Sequence, residues 1–303
     1  MRVAAIDCGT NSLRLLVLEQ EPGGAVVELD RQLRLVRLGE GVDATGEFAP
    51  AAIERTFGVL REYAAELAQL DVQRVRFVAT SAARDVGNAA EFLAGVRRLL
   101  GVQGEIISGS EEAALTFAGA VTGMPPTDGA VLVTDIGGGS TELVVGHAGI
   151  ERSASLDMGS VRLRERFLAS DPPTGDELTA AMEFVDDQLA TFDFSDVRGW
   201  VGVAGTITSM GALLLGLDHY DRTLVQGLMM DRNAIDAVAG GLCATPVAEL
   251  VSPLLPPLRA EVIAGGAVIC SRIAARVDVP MIVSEHDILD GVAYGLLAEA
   301  AGD

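Results

Sequence analysis

An α/β protein made of two similar halves is the fold class that the sequence predicts, and three observations predict it. Apolar residues make up 49% of the chain and aromatics only 4%, with Ala, Val, Leu and Gly dominating, the profile of a globular α/β chain rather than a disordered or fibrous one. Short apolar runs alternate with longer segments of helical spacing. The segment DCGTNSLRLLV from Asp7 also returns as DIGGGSTELVV from Asp135, with Asp7/Asp135, Gly9/Gly137, Ser12/Ser140, Leu15/Leu143 and Val17/Val145 identical.

Each copy follows a short apolar run (VAAI, AVLVT) and enters another (LRLLVLE, ELVVG) across a tight polar turn, which predicts strand, turn, strand at the start of each half. Val26 to Leu38 predicts a third strand, and GEGVDATGEF a loop before Pro50. Over residues 51–70 the spacing of Ile53, Phe57, Leu60, Leu67 and Leu70 predicts a helix. A strand at Arg74–Thr80, a helix at about Asn88–Leu100, a strand at Glu105–Ile107 and a helix at about Ser110–Ala120 complete the order βββαβαβα. Turn-forming residues from Met124 to Gly129 predict the boundary, giving domains 1–124 and 125–303, with the closing helix at about 287–303 placed to return to the first. The second half repeats the opening with strands at 130–136, 141–146 and 149–156, then a helix at 175–191 carrying Leu178, Met182, Val185 and Leu189 on one face. A strand at Trp200–Val203 leads into AGTITSMGALLLGL, and VPMIVSEHDILDGVAYGLLAEA closes the chain as strand, turn and helix. Two such halves imply a cleft between them.

Composition removes several kinds of chemistry. The net charge of −21 argues against stable nucleic-acid binding, which needs a basic surface. All 22 basic residues are Arg, which excludes a Walker A lysine and Schiff-base chemistry. Cys8, Cys243 and Cys270 lack metal or disulfide spacing, and His147, His219 and His286 are scattered. No apolar stretch is long enough to cross a bilayer, and the N-terminus lacks the apolar length of a signal peptide, so a cytoplasmic location is expected.

The repeated turns carry the candidate chemistry. Gly and Ser/Thr between two strands can aim backbone N–H groups and hydroxyls at one anion. Asp7 and Asp135 cannot meet a phosphate without repulsion, so they read as ligands of a magnesium-like ion; the alternative is a pair of ordinary Gly-rich hairpins with Asp accepting turn hydrogen bonds. In ISGSEEA, Glu111 and Glu112 fall in a first helical turn, where capping alone explains acids, yet beside a phosphate cleft one of them could serve as a base on water. Arg84 of TSAARD, at a strand tip, is a candidate phosphate clamp. The Arg31, Arg34, Arg37 and Arg162, Arg164, Arg166 groups read as solvated faces or as guides for a polyanion.

DCGTNS, RLGEGVD, TSAARD, ISGSEEA, DIGGGSTEL, GSVRLRERF and AGT, in this order, with LRAEVIAGGAVI and VSEHDILDGVAYG at the end, resemble the exopolyphosphatase and guanosine pentaphosphate phosphohydrolase family, Ppx/GppA, in a short two-domain form. The resemblance implies two actin-like (ribonuclease H-like) domains of the actin, sugar kinase and heat-shock chaperone superfamily. It implies that Glu112 activates the attacking water and that Asp135 and Glu142 serve the metal and the water, with Asp7 as a further metal ligand. Thr10, Asn11, Ser12, Arg84, Gly137, Gly138, Gly139, Ser140, Thr141, Gly205 and Thr206 are then the phosphate-binding residues, and Mg2+ or Mn2+ the cofactor. The expected reaction is in-line attack of water on a terminal phosphoryl group of inorganic polyphosphate. Guanosine pentaphosphate is the alternative substrate, and a homodimer the open alternative for self-association. An actin-like ATP-binding module or kinase is the reading of another class, since AGTITSMG sits where superfamily members hold adenosine.

Overall fold

In the computed structural model, which describes residues 1–122, 128–147 and 149–302, β1 (Arg2–Cys8) carries the unbroken apolar run Val3–Ile6 because both of its faces are covered. Ala4, Ile6 and Cys8 pack into a cluster with Leu60, Tyr63, Phe77 and Phe92, whereas Val3 and Ala5 pack with Ile288, Val292 and Leu296 of the C-terminal helix (Ile288–Gly302). A strand buried on both sides reads as an unbroken apolar run.

Around β1 stand β2 (Ser12–Gln20) and β3 (Val26–Leu35). The one-turn α1 (Val42–Thr45) and the long α2 (Pro50–Gln69), with Pro at its start, come next. β4 (Arg74–Ala79), the one-turn α3 (Ser81–Arg84), α4 (Ala89–Leu100), β5 (Gly104–Ile106) and α5 (Gly109–Ala120) follow. The sheet order is β3-β2-β1-β4-β5, with β1 antiparallel to β2 and parallel to β4. β3 is shorter than the predicted Val26–Leu38 because Val36 and Arg37 leave the ladder and donate to the Asn11 carbonyl at 3.0 and 2.9 Å. The predicted loop GEGVDATGEF contains α1, set between Gly41 and Gly46 in left-handed conformations.

The second sheet begins with β6 (Ala130–Ile136), β7 (Thr141–Gly146) and β8 (Ile150–Leu156). Helices α6 (Ser160–Phe167) and α7 (Gly175–Leu189) precede β9 (Val197–Val203) and α8 (Ala204–Leu214). Then come α9 (Arg222–Val225), β10 (Met229–Met230), α10 (Arg232–Ala244), α11 (Val247–Leu250), α12 (Pro257–Ala274) and β11 (Met281–Val283). The order is β10-β11-β9-β6-β7-β8. Read outward from β6, the order β8-β7-β6-β9-β11 repeats that of the first sheet, with the same parallel and antiparallel senses. Both sheets therefore have the ribonuclease H-like arrangement, and the repeat in sequence is a repeat in topology.

Two units result, Met1–Gly119 with Ile288–Asp303, and Ala120–Asp287. Of the predicted boundary turn, residues 124–127 lie outside the described residues. Arg31 on β3 pairs with the buried Asp290 at 2.6 Å and holds the C-terminal helix on the first sheet. Gly291 permits that helix to cross α5 closely, since a Cβ there would stand 2.0 Å from the Leu115 carbonyl oxygen. Gly291→Ala is expected to cost about 1–3 kcal/mol by overpacking, read as a lowered Tm, whereas Gly295→Ala, in open space on the same helix, should be neutral or stabilising.

Candidate active site

In open α/β sheets, ligands bind beyond the carboxyl ends of the parallel strands. In the first unit those ends, on β1, β4 and β5, carry the turn after Cys8, the stretch Thr80–Arg84 and the start of α5. In the second, β6, β9 and β11 carry the turn after Ile136, the start of α8 and Ser284–Asp287. The candidate residues collect at these ends, and Arg84 lies on α3 rather than at a strand tip.

The two turns are built alike. Gly9 N donates to Ser12 O at 2.9 Å, and Gly137 N to Ser140 O at 3.0 Å. In the second turn the carbonyls of Gly137 and Gly138 accept from Ser160 N and Val161 N, each at 2.9 Å, and the Gly139 carbonyl accepts from Arg162 Nε, also at 2.9 Å. A planar trans peptide directs its C=O and the following N–H to opposite sides, so the N–H groups of Gly138, Gly139 and Ser140 point away from α6. Among the described residues none of the three donates a hydrogen bond. Three successive N–H groups in a turn form an anion-binding nest. Gly159 must be glycine for α6 to come this close, as a Cβ would fall 2.4 Å from the Gly138 oxygen.

In the first turn the Thr10 carbonyl accepts from Gly39 N at 2.9 Å, and that of Asn11 from Val36 and Arg37. Gly39 is required, since a Cβ would sit 2.3 Å from Thr10 Cγ2. The Thr10 and Ser81 hydroxyls are 3.0 Å apart and tie this turn to α3. Asn11 Oδ1 is buried without a hydrogen-bond partner, so a contact from Asn11 to an anion must use its amide nitrogen.

The copies differ where their strands pair. Asp7 faces Arg14 across β1 and β2, whereas Asp135 faces Glu142 across β6 and β7. Arg14 donates to Asp7 Oδ2 through Nη2 at 2.6 Å and Nε at 2.9 Å. Asp7 thus has a guanidinium on one carboxylate oxygen, Oδ2, whereas its Oδ1 is buried with no hydrogen bond among the described residues. Asp135 and Glu142 are both buried, and the hydroxyls of Ser140 and Ser155 each donate to Glu142 Oε1 at 2.7 Å. Ser140 therefore orients Glu142 with its hydroxyl, leaving its backbone N–H for an anion. Thr141 is fully buried and its hydroxyl donates to the Met158 carbonyl at 2.6 Å.

The neighbours Glu111 and Glu112 are separated by their surroundings. Glu111 is exposed and pairs with Arg76 at 2.7 Å. Glu112 is buried and its Oε2 accepts from Arg84 Nη1 at 2.7 Å. Burial pushes the Glu112 carboxyl up to about 7 against the opposing pull of Arg84 and Arg14, with Asp7 adding to the rise. A carboxylate poised near neutrality has the basicity of a general base.

At the start of α8, Ala204 adopts a left-handed φ of 69°. The Gly205 carbonyl accepts from Arg259 Nη1 at 2.9 Å, and the same nitrogen donates to Ser209 Oγ at 2.8 Å. Thr206 is buried against Gly266, where a Cβ would stand 2.5 Å from its methyl. Arg31 binds Asp290 and Arg34 lies 3.8 Å from Glu62; Arg164 donates to the Ser170 carbonyl and Arg166 lies over the Phe184 ring. Arg14, Ser155 and Arg259 escaped the sequence reading. A signal for Arg14 was present, since the alignment of the two copies sets it over Glu142.

Among the described residues no helix is long and apolar enough to cross a membrane, and the buried Cys8 and Cys270 thiols are pushed well above their ordinary range. A model of the Ppx/GppA phosphatase family matches residues 16–300. Exopolyphosphatase 2 of Mycobacterium tuberculosis is 42% identical to the chain, over 97% of this chain and 98% of the relative. The crystal structure of an exopolyphosphatase-like protein superposes with a TM-score of 0.91 at 38% identity, covering 98% of this chain and 100% of the other. A family member from Aquifex aeolicus does so with a TM-score of 0.83 at 33% identity, covering 99% and 98%.

Proposed function

The chain belongs to the Ppx/GppA phosphatase family, and from that premise we propose that it is an exopolyphosphatase, releasing terminal orthophosphate from inorganic polyphosphate by attack of water. The observation that carries this reading is the Gly137–Ser140 turn, whose carbonyls are held by α6 while three N–H groups remain for phosphoryl oxygens. It stands directly beside the buried pair Asp135 and Glu142.

That pair fits a hard divalent cation such as Mg2+ or Mn2+. Its donors are carboxylate oxygens on opposed strands, and two buried like charges gain from a cation between them. Among the described residues no group of three or more His, Cys, Asp or Glu could hold a metal ion. A two-carboxylate set suits magnesium, which keeps waters and takes its remaining ligands from substrate phosphates. When bound, the ion supplies positive charge to the phosphoryl oxygens. Ser140 and Ser155 fix the rotamer of Glu142 through its Oε1.

Glu112 orients the attacking water and takes its proton. On the second unit, the nest of Gly138, Gly139 and Ser140 is fitted to donate to phosphoryl oxygens, over which charge is spread in a loose transition state. On the first unit, the peptide N–H and amide of Asn11, the hydroxyl of Ser12 and the guanidinium of Arg14 are donors fitted to phosphate, with Thr10 anchored to Ser81. Purified chain with Mg2+ is expected to release orthophosphate steadily from polyphosphate of defined length. Release from guanosine pentaphosphate alone, with none from polyphosphate, would overturn the choice of substrate.

A further inference from the structure

We propose that Arg84 acts on the reaction through Glu112, as the positioning residue of the general base, rather than as a clamp on phosphate. The inference rests on the reading of Glu112 as the residue that activates water.

Three observations support it. The same nitrogen of Arg84, Nη1, donates to Glu112 Oε2 at 2.7 Å and to the Ile107 carbonyl at 3.1 Å. Ile107 extends the β4–β5 ladder through its N–H on the Ala79 carbonyl at 3.1 Å, so the guanidinium is indexed to the sheet and the carboxylate to the guanidinium. The arginine is itself set at its root. It ends α3, whose Ser81, Ala82 and Ala83 are buried, and Ser81 is bonded to Thr10 of the first turn. A phosphate clamp on a flexible stem needs no such anchoring, whereas a residue that must hold one carboxylate oxygen in place does.

The chemistry follows from the division of labour on one carboxylate. With Oε2 taken by Arg84, the proton of the attacking water goes to Oε1. The water O–H bond breaks as the new O–P bond forms, and the bridging oxygen leaves with the rest of the chain. The charged groups around Glu112 are Arg84 on α3, Asp7 on β1 and Arg14 on β2, while Glu111 in its own turn is paired with Arg76. Of these, Arg84 is the one bonded directly to the carboxylate. It favours the ionised base, so its loss leaves burial and Asp7 less opposed.

The test uses Arg84→Ala and Arg84→Lys in the full chain, with the pH profile of kcat, the KM for polyphosphate and rescue by added guanidinium as readouts. Arg84→Ala is expected to lower kcat about 10²-fold and to move the acid limb of the profile upward by about one pH unit. KM should stay within a few-fold, guanidinium should restore part of kcat, and Arg84→Lys should be intermediate in both kcat and limb position. An acid limb that stays in place overturns the proposal, whatever happens to KM, and a raised KM with an unmoved limb is the signature of a phosphate clamp. Circular dichroism melts of both variants exclude unfolding, and Arg84→Lys carries the test if Arg84→Ala fails to fold. Glu112→Gln, assayed in parallel, keeps the two ideas apart. If that variant remains active the base assignment itself fails, and if it is inactive while the Arg84 limb stays in place only the positioning role fails.

Discussion

Replacement of Glu112 by Gln is expected to lower kcat for phosphate release by about 10² to 10⁴-fold, the range that a positioned general base contributes. KM should change little, because Gln keeps the shape of the side chain and can still accept from Arg84. In the wild-type chain, activity should rise with pH through about 7, where the buried carboxyl ionises, and in the variant that limb should disappear. Stability has the opposite dependence. A carboxyl whose folded pKa lies above its unfolded value of about 4.5 keeps its proton in the native state after the unfolded chain has released it, so native stability falls as pH rises from there to about 7. A difference of this size corresponds to roughly 3 kcal/mol. Denaturant titrations of wild type and Glu112→Gln at pH 4.5 and pH 8 should therefore show the variant gaining about that much relative to wild type at the higher pH. A gap that does not change with pH would show that Glu112 ionises normally.

Asp135→Asn and Glu142→Gln are expected to lose activity by at least 10²-fold and, separately, to lose Mn2+ binding measured by electron paramagnetic resonance without substrate. Each substitution removes one of two facing buried carboxylates, and with it the charge that makes a cation favourable in that place. Because the pair is buried, metal-free stability should rise or hold in both variants as like-charge repulsion is relieved. Asp7→Asn is the contrasting case. Its carboxylate is paired with Arg14, so Mn2+ binding should survive that change. Loss of Mn2+ from Asp7→Asn with retention in Asp135→Asn would reverse the assignment.

Much of the fold could be read without coordinates because its determinants are local. Apolar alternation and Gly-Ser turns are set within a few residues, and the repeat of DCGTNSLRLLV in DIGGGSTELVV announced two sheets of one topology. β3 was overextended because its last residues look like strand but give their N–H groups to the turn at Asn11. The helical character of Ser81–Arg84 was missed because one turn of helix is too short to show a period. α12 shows little amphipathic patterning for a different reason, since it is buried almost all round, with Gly265 and Gly266 admitting α6 and Thr206.

The sequence by itself determined which turns carry the chemistry and which residue types stand in them, because a Gly-rich turn between strands is specified by its own residues. Tertiary structure decided how those residues are used. Arg14 stands in the first sheet where Glu142 stands in the second, so one copy has a guanidinium beside its Asp and the other a pair of carboxylates. Arg84 meets Glu112 across 28 positions of chain, and the Gly137–Gly139 carbonyls are drawn aside by a helix that begins at Ser160. Such partners are brought together by strand order and helix packing, and electrostatic interactions depend on distance and burial rather than on separation along the chain. That is why the spacing of the turns pointed to phosphate, while the partners of Asp7, Thr141 and Arg84 came only from the fold.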